Sequence, residues 1–86
     1  MTLAWQSKAW EDYIEWQKTD KNIAKKINEL IRECLRTPTV GKGNPEMLRH
    51  NLSGYWSRRI NEEHRLVYKI EDDFIIIIQC KFHYSK

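Results

Sequence analysis

Residues 51–68 read NLSGYWSRRINEEHRLVY. The run divides into two arms rich in aromatic and β-branched residues, separated by the polar segment 61–63, and so predicts a β-hairpin. Arg58, Arg59 and Arg65 fall within eight positions, interleaved with Tyr55, Trp56 and Tyr68. The length of the connecting loop decides where Arg59 points. A three-residue loop over 61–63 pairs Ile60 with His64 and sets Arg59 opposite Arg65. A two-residue loop, Glu62-Glu63, turns Arg59 to the other face. The segment lacks the Asn-Gly or Asp-Gly signal of a two-residue turn, which favours the longer loop.

Upstream, TPTVGKGNPEMLRH (37–50) reads as a long loop carrying Lys42, Glu46, Arg49 and His50. Thr37-Pro38 stops what precedes it, because a residue before proline resists the α region. Before that stop, Ile23, Ile27, Leu30, Ile31 and Cys34 form one apolar stripe at helical spacing. Asp20 and Thr19 supply its cap. An earlier helix holds Ala9, Trp10, Tyr13 and Ile14, with Ser7 offered as its cap, and Thr2–Trp5 reads as a short strand. Downstream, a turn at 71–73 leads into FIIIIQCKFHY (74–84), a continuous apolar run that becomes alternating. Two helices followed by strands predict an α+β fold with both helices on one face of a twisted antiparallel sheet.

A chain of 86 residues is expected to form one domain, 1–86. Its net charge of +3 is compatible with nucleic acid but too small to require it. Cys34 and Cys80 lie far apart without metal-ligand spacing and read as reduced apolar fillers. No apolar run approaches a membrane span, and the Met1 end lacks the layout of a signal peptide. The expectation is a soluble cytoplasmic protein with no membrane partner.

Alternation along the last two strands sets Leu66, Tyr68 and Cys80 against the helices. It leaves Arg65, Lys69, Lys81 and His83 on an open face. Such a face can cut RNA without a metal or other cofactor. A base takes the 2′-hydroxyl proton, an acid protonates the departing 5′-oxygen, and a cation holds the phosphorane charge. Glu46 suits the base, His83 the acid and Arg65 the phosphate, with Tyr55 and Tyr84 available for stacking. The same residues also fit a module that binds RNA or an acidic partner without cutting, and the three arginines can equally pair with Glu62, Glu63, Glu71 and Asp72.

The chain resembles the YoeB toxins of bacterial toxin–antitoxin pairs, within the RelE-like superfamily. The likeness rests on the TDK–IxKKINELI helix, the TP–GKG–PE–L loop, HNLSG-WSRRI-EEHRLVY and the closing C-K-F-HY strand. It implies a small microbial-ribonuclease-like fold and cleavage of mRNA at the ribosomal A site. It also implies homodimers, neutralisation by a YefM-type antitoxin, and operon repression in which the antitoxin contacts operator DNA. Position by position, Glu46 matches the general base, His83 the general acid, Arg65 the phosphate-binding arginine and Tyr84 the adjacent site tyrosine. Arg59 matches a second basic site residue, and Arg49 stands where relatives often carry lysine. Lys81 joins them as a candidate RNA contact. Ser85 and Lys86 extend past the usual His-Tyr end.

Overall fold

A computed structural model describes residues 1–48 and 54–83. The elements run β1 (Thr2–Trp5), α1 (Ser7–Thr19), α2 (Lys21–Arg36), β2 (Glu46–Met47), β3 (Tyr55–Arg59), β4 (Arg65–Glu71) and β5 (Phe74–Gln79). The strands form one sheet in the order β1-β5-β4-β3-β2. The expected α+β architecture is present, and the sheet is mixed: β1 runs parallel to β5, while every other pair is antiparallel.

Helix α2 lays its apolar stripe on the sheet, with Ile27, Leu30 and Cys34 fully buried. They meet Leu66 and Tyr68 of β4 and Ile75 and Ile77 of β5 in a single core. Asp20 caps α2 as expected, its Oδ1 accepting from the backbone of Asn22 (3.1 Å) and Ile23 (3.2 Å), a contact of about 1 kcal/mol. Ser7 does not cap α1. It is the first helical residue, and Gln6 occupies the cap position without a side-chain bond. Tyr13 Oη donates to Asn28 Oδ1 at 2.6 Å, fastening α1 to α2. Both cysteines are free and buried, and burial pushes the Cys80 thiol up to about 12. Among the described residues no helix is long and apolar enough to cross a membrane.

Two local departures from the sequence reading shape the site. The segment after Pro38 is not all loop, because Glu46 and Met47 pair with Ser57 and Trp56 as an added edge strand. The last strand does not continue to residue 84. A bulge places Val67 opposite Gln79 but Tyr68 opposite Ile77, so Ile78 is the extra residue, and the strand ends at Gln79. The chain then turns, with Phe82 in the left-handed region at φ 63°.

Candidate functional site

The β3–β4 connection resolves the hairpin question. Ile60 N–H donates to His64 O at 3.0 Å, and Arg59 pairs with Arg65 across the sheet. The three-residue loop is therefore the one formed. Opposed residues of an antiparallel pair share a face. Arg58 and Leu66 are buried against the helices, so Arg59, Ser57 and Tyr55 lie on the other face with Arg65, Val67 and Lys69. Glu46 joins this face through its register with Ser57. One cross-sheet row is thus Glu46, Ser57, Val67 and Gln79, and the next along is Arg59 and Arg65. Two strands across and two residues along put the Glu46 and Arg65 Cα atoms about 12 Å apart, within reach of two long side chains converging on one phosphodiester.

Arg65 folds over the hairpin loop. Its Nη1 donates to the carbonyls of Asn61 (2.7 Å), His64 (3.1 Å) and Glu62 (3.4 Å). This anchors one edge of the guanidinium and leaves Nε and Nη2 to grip a phosphate. Among the described residues, neither Arg59 nor Arg65 forms an ion pair with a carboxylate. His83 comes to the same loop, its Nε2 lying 3.0 Å from Glu62 O. A carbonyl only accepts, so Nε2 carries the hydrogen and Nδ1 is the nitrogen turned away from this contact. The Glu62 carbonyl therefore ties the candidate acid to the candidate phosphate ligand.

Lys81 adjoins His83 but has left the sheet face. Because the strand stops at Gln79, alternation no longer governs it. Its ammonium sits 5.6 Å from the Trp16 ring centre and 5.4 Å from that of Phe82. It borders a hollow of about 290 Å³ with Lys8, Asp12, Gln79 and His83, on the α1 side. Lys69 remains on the open face but is paired with Glu71 at 3.0 Å, a bond that raises its pKa. Arg49 and Tyr84 lie outside the described residues.

Two residues that sequence reasoning left without a role organise the site. Arg58 is fully buried. It pairs with none of the acidic residues considered for it. Its guanidinium donates to Thr37 O (2.6 Å), Lys42 O (2.8 Å), Val40 O (2.9 Å) and Tyr68 Oη (3.0 Å). Tyr68 in turn donates to Pro38 O at 2.7 Å, and burial pushes its phenol up to about 12. Next door, Arg59 N–H donates to Gly43 O at 2.7 Å. These bonds lash the loop that delivers Glu46 to the back of β3. Gly43 permits the approach: at φ 84°, a Cβ there would sit 2.8 Å from Leu30 Cδ2. The second residue is His64, 5% exposed, whose Nδ1 accepts from Phe82 N–H at 2.8 Å. The signal for Arg58 was present in the Arg-Arg pair, since strict alternation must turn one of two neighbours inward.

This architecture is shared with bacterial toxins of known structure. A YoeB/ParE toxin from Agrobacterium tumefaciens superposes with a TM-score of 0.94 at 49% identity, covering 98% of this chain and all of that one. A YoeB dimer from Staphylococcus aureus gives 0.90 at 48% identity, covering 98% of each chain. The same organism's YoeB is also known in complex with YefM. Toxin YoeB of Escherichia coli K12 is 61% identical over 84 residues, 98% of this chain and the whole of its own length. Residues 5–84 match the family described as YoeB-like toxin of bacterial type II toxin-antitoxin system. The chain belongs to that family.

Proposed function

We propose that this protein is a cytoplasmic, ribosome-dependent endoribonuclease that cuts mRNA in the ribosomal A site and so arrests translation. The observation that carries the reading is the meeting of Arg65 and His83 at the Glu62 carbonyl, with Arg65 on the sheet face that also bears Glu46 and Arg59. The Glu46 carboxylate takes the 2′-hydroxyl proton. The 2′-oxygen bonds to phosphorus as the P–O5′ bond breaks. Arg65, with Arg59 beside it, balances the phosphorane charge, and His83 Nδ1 delivers a proton to the leaving 5′-oxygen. Tyr84 is proposed as a further catalytic residue, and Arg49 and Lys81 as contacts to flanking RNA. The products are a 2′,3′-cyclic phosphate and a 5′-hydroxyl, and the step calls for no metal or cofactor.

The test is chemical mapping of mRNA ends after brief expression. Cyclic phosphate or 3′-phosphate on the upstream fragment is expected. A 3′-hydroxyl with a 5′-phosphate downstream would replace this reading with metal-assisted hydrolysis.

A YefM-type antitoxin is the proposed neutralising partner, its acidic segment covering the basic face. Operator DNA is reached only through that antitoxin. The chain also dimerises. Away from the catalytic face, Leu3, Trp5, Trp10, Tyr13, Ile31 and Leu35 line an apolar groove of about 440 Å³, with Trp10 47% exposed. A second copy seated there leaves both catalytic faces open. Trp10→Ala is expected to weaken self-association about tenfold or more by sedimentation while mRNA cleavage persists. An unchanged association constant would remove this groove from the interface.

A further inference from the structure

A bulky residue at φ 63° is uncommon and strained unless its surroundings hold it. Phe82 is such a residue, it is 56% exposed, and it immediately precedes His83. Its side chain packs only in part, against His64 and Lys81, whereas its backbone groups are bonded on both sides. Phe82 N–H donates to His64 Nδ1 at 2.8 Å. Phe82 O accepts from Arg65 N–H at 3.0 Å and from Gln79 Nε2 at 3.2 Å. Gln79 Nε2 also reaches Lys81 O at 2.8 Å and His83 O at 3.0 Å.

His64 is itself held on several sides. Its ring meets Trp16 edge-on at 4.8 Å and Phe82 at 5.6 Å. Its backbone N–H donates to Asn61 Oδ1 at 2.8 Å, and Nε2 faces Glu63 Oε1 at 3.6 Å. Trp16 Nε1 donates to Cys80 O at 3.0 Å, steadying the same segment from α1. Because Nδ1 accepts a hydrogen bond from the Phe82 backbone amide, it carries no hydrogen of its own and Nε2 carries the hydrogen. His64 is thus a fixed acceptor, unlike His83, whose Nδ1 makes no hydrogen bond among the described residues.

From these contacts we infer that His64 and Gln79 form a clamp that holds Phe82 in the left-handed conformation and thereby positions His83 for proton delivery. The inference rests on the proposed cleavage reaction and assigns two positioning residues to it. Neither side chain need touch RNA. Removing one clamp arm lets the turn relax toward ordinary φ values and swings the His83 ring off the Glu62 carbonyl. A misplacement of about 1 Å costs on the order of 100-fold in rate.

The experiment compares His64→Phe, His64→Asn and Gln79→Leu with wild type in single-turnover cleavage on programmed ribosomes. Two mRNAs are used, one natural and one with sulfur in place of the scissile bridging 5′-oxygen. A thiolate leaves without a proton, so the second substrate bypasses the acid. His64→Phe keeps the ring packing but loses the acceptor. It is expected to cut the natural mRNA roughly 10- to 100-fold more slowly, at little cost in ribosome affinity, and the sulfur substrate at close to the wild-type rate. His64→Asn, whose Oδ1 falls near the place of Nδ1, recovers most of the loss. Gln79→Leu repeats the pattern from the other arm and carries the test if His64→Phe does not fold. A folded His64→Phe or Gln79→Leu that cuts natural mRNA at the wild-type rate overturns the clamp, as does a defect equally large on the sulfur substrate. Wild-type protein that cuts neither mRNA overturns the cleavage reading itself, and the clamp falls with it.

Discussion

Arg58→Met is expected to lower the free energy of unfolding by about 3–5 kcal/mol, because it takes the donor from several buried acceptors at a cost of about 1–3 kcal/mol for each one left unsatisfied. Methionine matches the aliphatic stem but leaves Thr37 O and Lys42 O without the Arg58 donor, Val40 O with the Thr37 hydroxyl alone, and Tyr68 Oη with one bond fewer. Each bond from a charged donor to a neutral acceptor contributes about 1.5–3 kcal/mol, and part of the loss is recovered where water reaches the freed carbonyls. A chain of 86 residues has a total stability of roughly 4–13 kcal/mol, so the variant is left marginal. Arg58→Lys keeps the charge but not the planar fork that serves several acceptors at once, and should fall between the two. The neighbouring Arg59→Ala, on the exposed face, should stay within about 0.5 kcal/mol of wild type. Urea titration of the three variants checks the set. An Arg58→Met midpoint equal to wild type would mean that the loop over 37–43 is held by something else.

That contrast also marks how far the residues could be read in one dimension. The helices were legible because Ile23 to Cys34 repeat with a period that only a helix can bury on one side, and Asp20 and Pro38 bracket them. The hairpin register was legible from the absence of a tight-turn signal. The two neighbouring arginines were less so. Alternation says that one of Arg58 and Arg59 turns inward, but not that backbone carbonyls from a loop sixteen to twenty-one residues earlier wait there for it. Nor could alternation foresee its own end. The bulge at Ile78 breaks the alternation, and the left-handed Phe82 beyond it is bonded to His64 and Arg65, distant in sequence, as well as to Gln79. As a result Lys81 moved to the α1 side while His83 still reached the Glu62 carbonyl. The parallel seating of β1 beside β5 likewise depends on contacts made across nearly the whole chain.

The largest effect on activity is expected at the proposed acid. His83→Gln should slow cleavage of natural mRNA by about 10²- to 10⁴-fold, the usual worth of a positioned proton donor. The glutamine amide can still donate to Glu62 O as His83 Nε2 does, so the turn and the Arg65 anchor survive while the transferable proton is lost. The His83 ring is exposed, and the melting temperature should therefore move little. Glu46→Gln, on the exposed edge strand, is expected to cost a similar factor by removing the base. The two losses should not add, because base and acid serve one concerted displacement and removing either abolishes the benefit of the other. The sulfur-bridged mRNA separates them. It needs a base but no acid, so it should restore His83→Gln to near the wild-type rate and leave Glu46→Gln slow. Full activity of folded His83→Gln on natural mRNA would strip His83 of its role. Rescue of both variants by sulfur would assign Glu46, not His83 alone, to the leaving-group side of the phosphate.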